Sequence, residues 1–346
     1  MRLKLFTSSI ALLMLAGCTS IPKLNQTHVT KIPEAVYAPT AAQLKAQMKG
    51  LGQKIVVLPF ETTASSQTPY ASQAYELFTQ RLLNSGNTIV DRSLAKKLKG
   101  ELLAAEKSGV YRKNGPNIAD IAMMPKLVSL TYSKDFTEGH SWVDSKGYSR
   151  HVAPRCSFNG RAKIYVRVYR IPSMQLVNNY EYEGSSSHSS QSRRSSCPMS
   201  RGELRGLMSR AIEDAIKSGS AKTLNDIAPA AYIIERRDVN DKDGESALFM
   251  TTMNARQGAV AKAKVKIYRK EKSENPITHE VHSRLTLLGE GVMTDNIDSY
   301  GSYIYVDDEA LIKKIRIGDI VKLDYGKCEP GEYELLGRCI KLPGIN

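Results

Sequence analysis

The chain has 346 residues, with 49 Lys+Arg against 35 Asp+Glu, a net charge of +14 and 41% hydrophobic residues. That length allows two domains of ordinary size, and the apolar fraction is enough to bury cores in both. The composition excludes a collagen-like repeat, a wholly disordered chain and a multi-span membrane protein.

In chain order, the first segment reads as an export signal. Arg2 and Lys4 give it a positive start, Ile10 to Ala16 an apolar run, and Leu15-Ala16-Gly17-Cys18 a close of small residues before a cysteine. The run is too short to cross a bilayer as a finished helix. Residues 18–50 hold Pro22, Pro33 and Pro39 among polar residues and read as a tether, with a short helix available from Ala41 to Lys49.

Lys54 to Phe60, β-branched and stopped by Pro59, predicts a buried strand. Ala74, Leu77, Phe78 and Leu82 share one helical face, and Gly86 sits where that helix would end. Thr88 to Val90 predicts a strand, and Leu94, Leu98 and Leu102 mark a second helix. Lys126 to Ser133 is a further strand. Arg161 to Arg170 alternates, with Ala162, Ile164, Val166 and Val168 on one face and Lys163, Tyr165, Arg167 and Tyr169 on the other. A turn at Ser173 to Val177 leads to its partner, Leu176 to Glu183. Glu203 to Lys217 predicts a third helix, striped by Leu204, Leu207, Met208, Ala211, Ile212 and Ala215, with Gly219 expected to end it.

Glu235 to Gly244 is charged and turn-rich, so the domain boundary is placed there: an α/β domain at 51–235 and a mainly-β domain at 236–346. The latter reads as Ala263 to Tyr268, Ser283 to Leu288, Gly291 to Thr294, Ser302 to Val306 and Asp319 to Leu323. Short strands at that spacing imply a small barrel or sandwich.

Apart from Cys18 there are four cysteines: Cys156, Cys197, Cys328 and Cys339. An even count behind an export signal favours disulfides, and three pairings exist. Cys156–Cys197 and Cys328–Cys339 keep each bridge within one domain, and Glu329-Pro330-Gly331-Glu332 is a turn signal inside the second. Each bridge would add roughly 3–4 kcal/mol in the chain-entropy model. Zinc is the rival reading, but no Cys-x-x-Cys pair occurs.

Other constellations read as surface. His279 and His282 would point to opposite faces of a strand. Asp238 to Glu245 has a calcium-loop look, but aligning Gly244 places Val239 and Met250 at the anchoring ligand positions. No nucleophile elbow, phosphate loop, dinucleotide fingerprint or His-Glu-x-x-His motif is present, so neither an enzyme nor a cofactor is expected. The segment 184–200 holds nine serines and reads as a flexible loop, in which Arg193-Arg194 either contacts a phosphate or carboxylate or is solvated. Trp142, among polar neighbours, either makes an exposed contact or caps a hairpin core.

Leu15-Ala16-Gly17-Cys18 resembles the lipobox of bacterial lipoproteins. That resemblance implies cleavage before Cys18 and acylation of its thiol, anchoring the chain by three acyl chains at roughly 0.8 kcal/mol per buried CH₂. Thr19, where an inner-membrane retention signal has Asp, points to the outer membrane, with the chain facing the periplasm. Removing residues 1–17 takes away Arg2 and Lys4 and lowers the net charge from +14 to +12. Nucleic acid is no partner there; an acidic glycan, lipid headgroups or a merely soluble surface would account for the excess.

The element order of residues 18–235 resembles the curli-secretion channel lipoproteins (the CsgG family, CsgG/HfaB type). The resemblance is carried by Ile89-Val90-Asp91-Arg92 with Leu94, Leu98 and Glu101, by Ala162 to Val177, and by Leu207-Met208-Ser209-Arg210-Ala211-Ile212. Val265 to Arg269, Pro276, Gly291-Val292 and Ile317 to Val321 resemble the small β-domain of the flagellar H-ring protein FlgT, which also carries TolB-like domains. The resemblance implies a TolB-like mixed sheet with flanking helices, then an SH3-like barrel or sandwich. It further implies a homo-oligomeric ring working with other envelope components in secretion or appendage assembly. The curli channel crosses the membrane with two β-hairpins, each strand needing roughly 9–11 residues with one apolar side. Here the matching insertions, 137–160 and 184–201, are polar and basic. A ring without its own barrel is therefore expected, with a true channel and a periplasmic glycan-binding module as alternatives.

Overall fold

The computed structural model describes residues 21–49, 54–90, 98–101, 104, 107, 119–171, 173–239, 242–277, 279–328, 332–335 and 338–340. The signal segment, Cys18, Leu94 and Leu102 lie outside the described residues; residues 98–101 are helical.

β1 (Thr27–Thr30) and α1 (Ala41–Lys49) come first, then β2 (Lys54–Val57), β3 (Glu61–Thr62), α2 (Thr68–Asn84) and β4 (Thr88–Ile89). α2 has Pro69 in its first turn and ends at Ser85, with Gly86 beyond it at φ +76°, a left-handed conformation suited to glycine. β5 (Ile121–Thr137), the hairpin β6 (His140–Val143) and β7 (Ser149–Val152), β8 (Arg155–Arg170) and β9 (Gln175–Gln191) lead to α3 (Arg201–Ile227). The first sheet runs β4-β2-β5-β8-β9, with β3 beside β5.

Its centre is buried on both faces, which is why β2 reads as a continuous apolar run. Ile55 and Val57 meet Ala74, Phe78 and Leu82 of α2, Ile164 and Val166 of β8, and Ala211, Ile212 and Ala215 of α3. Val56 and Leu58 turn to the other face, with Leu98, Met124 and Tyr169. A fully buried side chain of this kind contributes about 1.5–3 kcal/mol.

Three expectations for this unit change. β5 and β9 are far longer than the segments 126–133 and 176–183, because their outer halves pair with β8 through backbone, beneath polar side chains that show no hydrophobic period. The serines at 185–190 are therefore strand, not flexible loop. Gly219 does not end α3: a Cβ there would lie 2.3 Å from the Tyr182 ring, so the glycine makes room for a neighbour inside the helix.

The second unit holds β10 (Ala231–Val239), β11 (Lys242–Thr251), β12 (Lys264–Glu274), β13 (Val281–Ile297), β14 (Ser302–Val306), the short α4 (Glu309–Lys314), β15 (Ile320–Leu323), β16 (Tyr333–Leu335) and β17 (Arg338–Ile340). The sheet order is β1-β10-β11-β14-β13-β12-β15, and an added β10–β15 pairing closes it around Ile233, Phe249, Val265, Ile267, Met293, Ile304 and Val321. The fold is thus mixed α/β, mostly β, in two units.

The change of sheet comes at 228–230, so the expected boundary at 235–236 falls inside β10. The expected segments 283–288 and 291–294 are one strand, β13, and α4 had no long enough period to be seen. The tether is also shorter than expected. β1 pairs with β10 (Thr27 with Val239, Thr30 with Arg236), and Glu34 bridges Ile317. Among the described residues no helix is long and apolar enough to cross a membrane.

Candidate assembly surface

Beyond the two-faced core, β5, β8 and β9 continue together as a three-stranded ribbon. The register holds to its tip, where Thr137 faces Arg155 and Arg155 faces Gln191. α3 covers one side of it. Phe136, Cys156, Phe158, Cys197, Met199 and Leu207 form a small core there, and Cys156 is bonded to Cys197 within it at a Cα separation of 5.5 Å. Gly184 allows the close approach: a Cβ on it would lie 2.1 Å from the Ala215 backbone nitrogen. The bridge thus ties the two insertions that flank the ribbon. Cys328 and Cys339 are bonded beside the β16–β17 hairpin.

α3 starts with a capping box. Ser200 Oγ accepts the Glu203 N–H (3.2 Å), and the Glu203 carboxylate accepts the Ser200 N–H (2.8 Å). Those Ser200 bonds hold the Glu203 carboxyl below its ordinary range.

At the ribbon's tip the β6–β7 hairpin turns on Asp144. Its Oδ1 accepts the Lys146 and Tyr148 N–H groups (2.9 and 3.0 Å) and its Oδ2 meets Arg150 Nε at 3.0 Å. The Tyr148 backbone bond leads in holding the Asp144 carboxyl low. Trp142 is 45% exposed and stacks on His140 with ring centres 5.3 Å apart, so it stands at the surface. Arg193 and Arg194 are exposed in the turn after β9, with no carboxylate partner among the described residues. Lys134 Nζ crosses to the Ser196 carbonyl at 2.6 Å, holding that turn to β5.

Both long edges of the ribbon are open. β3 pairs with β5 only at Lys126 and Leu127, and Thr63 Oγ1 donates to the Val128 carbonyl at 2.8 Å; from Ser129 onward no described strand takes that side. On the opposite side β9 is the edge of the sheet. The Ser185 N–H turns outward to Asp214 Oδ2 (2.9 Å), which sets the phase for the regular register that follows. The N–H groups of Ser187, Ser189 and Gln191 therefore also face outward. Lower on the same strands Lys163 bridges Glu181 and Glu183 (2.5 and 3.2 Å), and the Glu181 bond leads in raising its pKa.

The remaining candidates are used otherwise. Asp238 is buried, accepting from Thr30 Oγ1 (2.6 Å) and pairing with Arg236 (2.7 Å), which removes it from a calcium loop. His279 pairs with Glu274 at 2.8 Å and His282 with Glu280 at 3.6 Å, both at the surface. Among the described residues no group of three or more His, Cys, Asp or Glu could hold a metal ion. The open edges were not legible in the sequence, since a serine run shows no alternation of apolar and polar residues.

No protein-family model matches the chain, and no curated protein matches it. Among the solved structures that share a distant likeness are the following three. The PelC L103M dodecamer from Paraburkholderia phytofirmans is 10% identical over 55% of this chain and 99% of that one, with a TM-score of 0.20. Lipoprotein GNA1162 from Neisseria meningitidis is 12% identical over 45% and 93%, TM-score 0.20. The hypothetical protein CT253 from Chlamydia trachomatis is 14% identical over 48% and 98%, TM-score 0.20. At that distance none of them carries an argument, and the functional reading rests on the chain's own residues.

Proposed function

We propose that this chain is an outer-membrane lipoprotein, acylated at Cys18 and facing the periplasm. In this reading it builds a ring as a non-enzymatic part of an envelope secretion or surface-appendage machine, without a transmembrane barrel of its own. The observation that carries it is the pair of open edges on opposite sides of one rigid ribbon. β5 and β9 are each antiparallel to β8, hence parallel to one another. A copy adding its β5 edge to the β9 edge of the next repeats one rotation, and such a head-to-tail contact closes as a ring or runs on as a filament. The Cys156–Cys197 bridge and α3 hold the ribbon in one shape, as a repeated contact requires. The lipobox and the resemblances to CsgG and FlgT supply the location and the class of machine.

A lipid-crossing barrel does not fit this ribbon. Residues 185–191 of β9 carry no apolar side chain, whereas a strand facing lipid needs one apolar side throughout. Ser187→Pro tests the contact itself. The Ser187 N–H faces outward, so proline costs no hydrogen bond to β8 but blocks a strand added beside it. In mild detergent the acylated wild type is expected to form rings under cryo-electron microscopy, and Ser187→Pro to remain a folded monomer. Monomers of the wild type, rings that survive the substitution, or a ring with a membrane-sized barrel would each overturn the proposal. Wild-type monomers that bind a uronate polymer in a salt-sensitive way would favour the glycan-binding alternative.

A further inference from the structure

A second open edge lies on the closed β-domain. β15 pairs with β12 only from Val265 to Tyr268, while β13 follows β12 continuously to Glu274. The Asp324 N–H donates to the Lys264 carbonyl at 2.8 Å, so the backbone groups of even-numbered β12 residues face the β15 side. Past Tyr268 that side is vacated among the described residues, and Lys270 and Lys272 turn their N–H and C=O groups into open space. The space is a cleft of about 470 Å³, with Val36, Tyr37 and Arg316 on its far side. That far wall is ordered by backbone bonds. Ala35 N–H donates to the Ile317 carbonyl (2.8 Å) and Ile317 N–H to the Pro33 carbonyl (3.0 Å).

Among the described residues the charge left over in this cleft is all positive. Glu271, the one acid among those lining it, accepts from Thr286 Oγ1 (2.6 Å) and pairs with Arg284 (3.2 Å); the Thr286 bond leads in holding its carboxyl low. Arg269 is bound to the buried Asp319 at 2.8 Å. The Lys270 ammonium and Arg316 guanidinium have no carboxylate partner among the described residues (Arg316 meets Asp319 only through its backbone N–H, at 2.8 Å), and Lys272 Nζ lies 4.8 Å above the Tyr37 ring.

We propose that this cleft takes an extended acidic peptide segment of a partner protein, added as one more strand on β12 with its carboxylates against Lys270, Lys272 and Arg316. A phosphate or a uronate would answer the charge alone. Only a peptide also answers the alternating N–H and C=O groups, which repeat at about 6.8 Å along the edge. Lysines on a bare edge can also serve merely to keep strands off, so the test has to separate guarding from binding.

The experiment uses the full-length protein in mild detergent and a fluorescent alternating Glu-Val heptapeptide as probe, read by anisotropy. Binding is expected for the peptide, and a loss of about tenfold or more for Lys270→Glu/Lys272→Glu, whose exposed positions leave the melting curve unchanged. The same heptapeptide with every second amide N-methylated, equal in charge, is expected to fail. Neither an oligouronate nor phosphatidylglycerol vesicles should displace the probe. The proposal is overturned if no peptide binds, if the N-methylated peptide binds equally, if the double variant binds as well as wild type, or if glycan or vesicle displaces the probe. The ribbon edges play no part in this binding, so it stands or falls separately from ring formation.

Discussion

Gly219 lies in the interior of α3, where a sequence reader takes glycine for a stop and the fold uses it for room. Tyr182 is fully buried, its ring rests on Gly219, and its hydroxyl meets Thr223 Oγ1 at 2.6 Å; burial pushes that hydroxyl's pKa up. Helix propensity alone would reward Gly219→Ala by about 1 kcal/mol. Overpacking a rigid site costs about 1–3 kcal/mol, and a ring fixed by its own hydrogen bond has little space to yield. The expected net effect is destabilisation by up to roughly 2 kcal/mol in urea unfolding. A variant more stable than wild type would show that the Tyr182 ring moves aside. The same reasoning explains why Gly184 was passed over in the sequence. Its role is a close approach to Ala215, and nothing in a local pattern reports a partner 31 residues away on another element.

Element by element, legibility followed hydrophobic period. α2 and the inner half of β8 were readable because apolar residues recur there at 3.6 or 2 residues, and β2 because its apolar run is unbroken. The outer halves of β5 and β9 were not, because their pairing is made by backbone beneath polar side chains. β1, four residues long, is too short to show any period. The start of α3 was readable from Ser200-x-x-Glu203, yet the stripe alone placed it two residues late, at Glu203. That capping box also makes a pH prediction. The Glu203 carboxyl sits below its ordinary value of 4.5 in the folded chain, chiefly through the Ser200 backbone N–H. A depressed folded pKa stabilises above the unfolded value, and the gain is lost as pH falls through the folded value. Between about pH 6 and about pH 3, wild type should therefore lose more stability than Glu203→Gln, which keeps an acceptor oxygen at every pH. Urea midpoints across that range give the comparison, and parallel curves would remove the cap from the acid response.

Across the whole molecule, the N-terminal segment and the junction decide how the two units stand to an anchor and to each other. With Cys18 acylated as proposed, only residues 18–26 separate the anchor from β1, and Leu24–Gln26 among them is a 3-10 turn, so the span is under about 30 Å. The lipid would then enter beside the β-domain, at the Thr27–Val239 end of β10. The α/β unit follows through a joint that is built, not hinged. Tyr325 packs against both cores and donates its hydroxyl to the Ser85 carbonyl at 2.9 Å. Its backbone N–H and C=O both bond the Asn225 side chain, at 2.7 and 3.0 Å. Beside it Arg81 reaches the Gly326 carbonyl (2.6 Å), Lys327 pairs with Asp214 (2.9 Å), and Gly86 lies so near Gly258 that a Cβ would fall 2.3 Å from its nitrogen. Forces on a ring of α/β units would therefore pass into the anchored β-domains instead of being lost in a linker. Tyr325→Ala removes the one side chain that, among the described residues, is shared by both cores, at a cost of roughly 2–4 kcal/mol for a half-buried aromatic. The expected calorimetric result is one cooperative transition for wild type and two separated transitions for the variant, with both disulfides intact. Two transitions already present in wild type would mean that the units unfold independently and that the joint does not couple them.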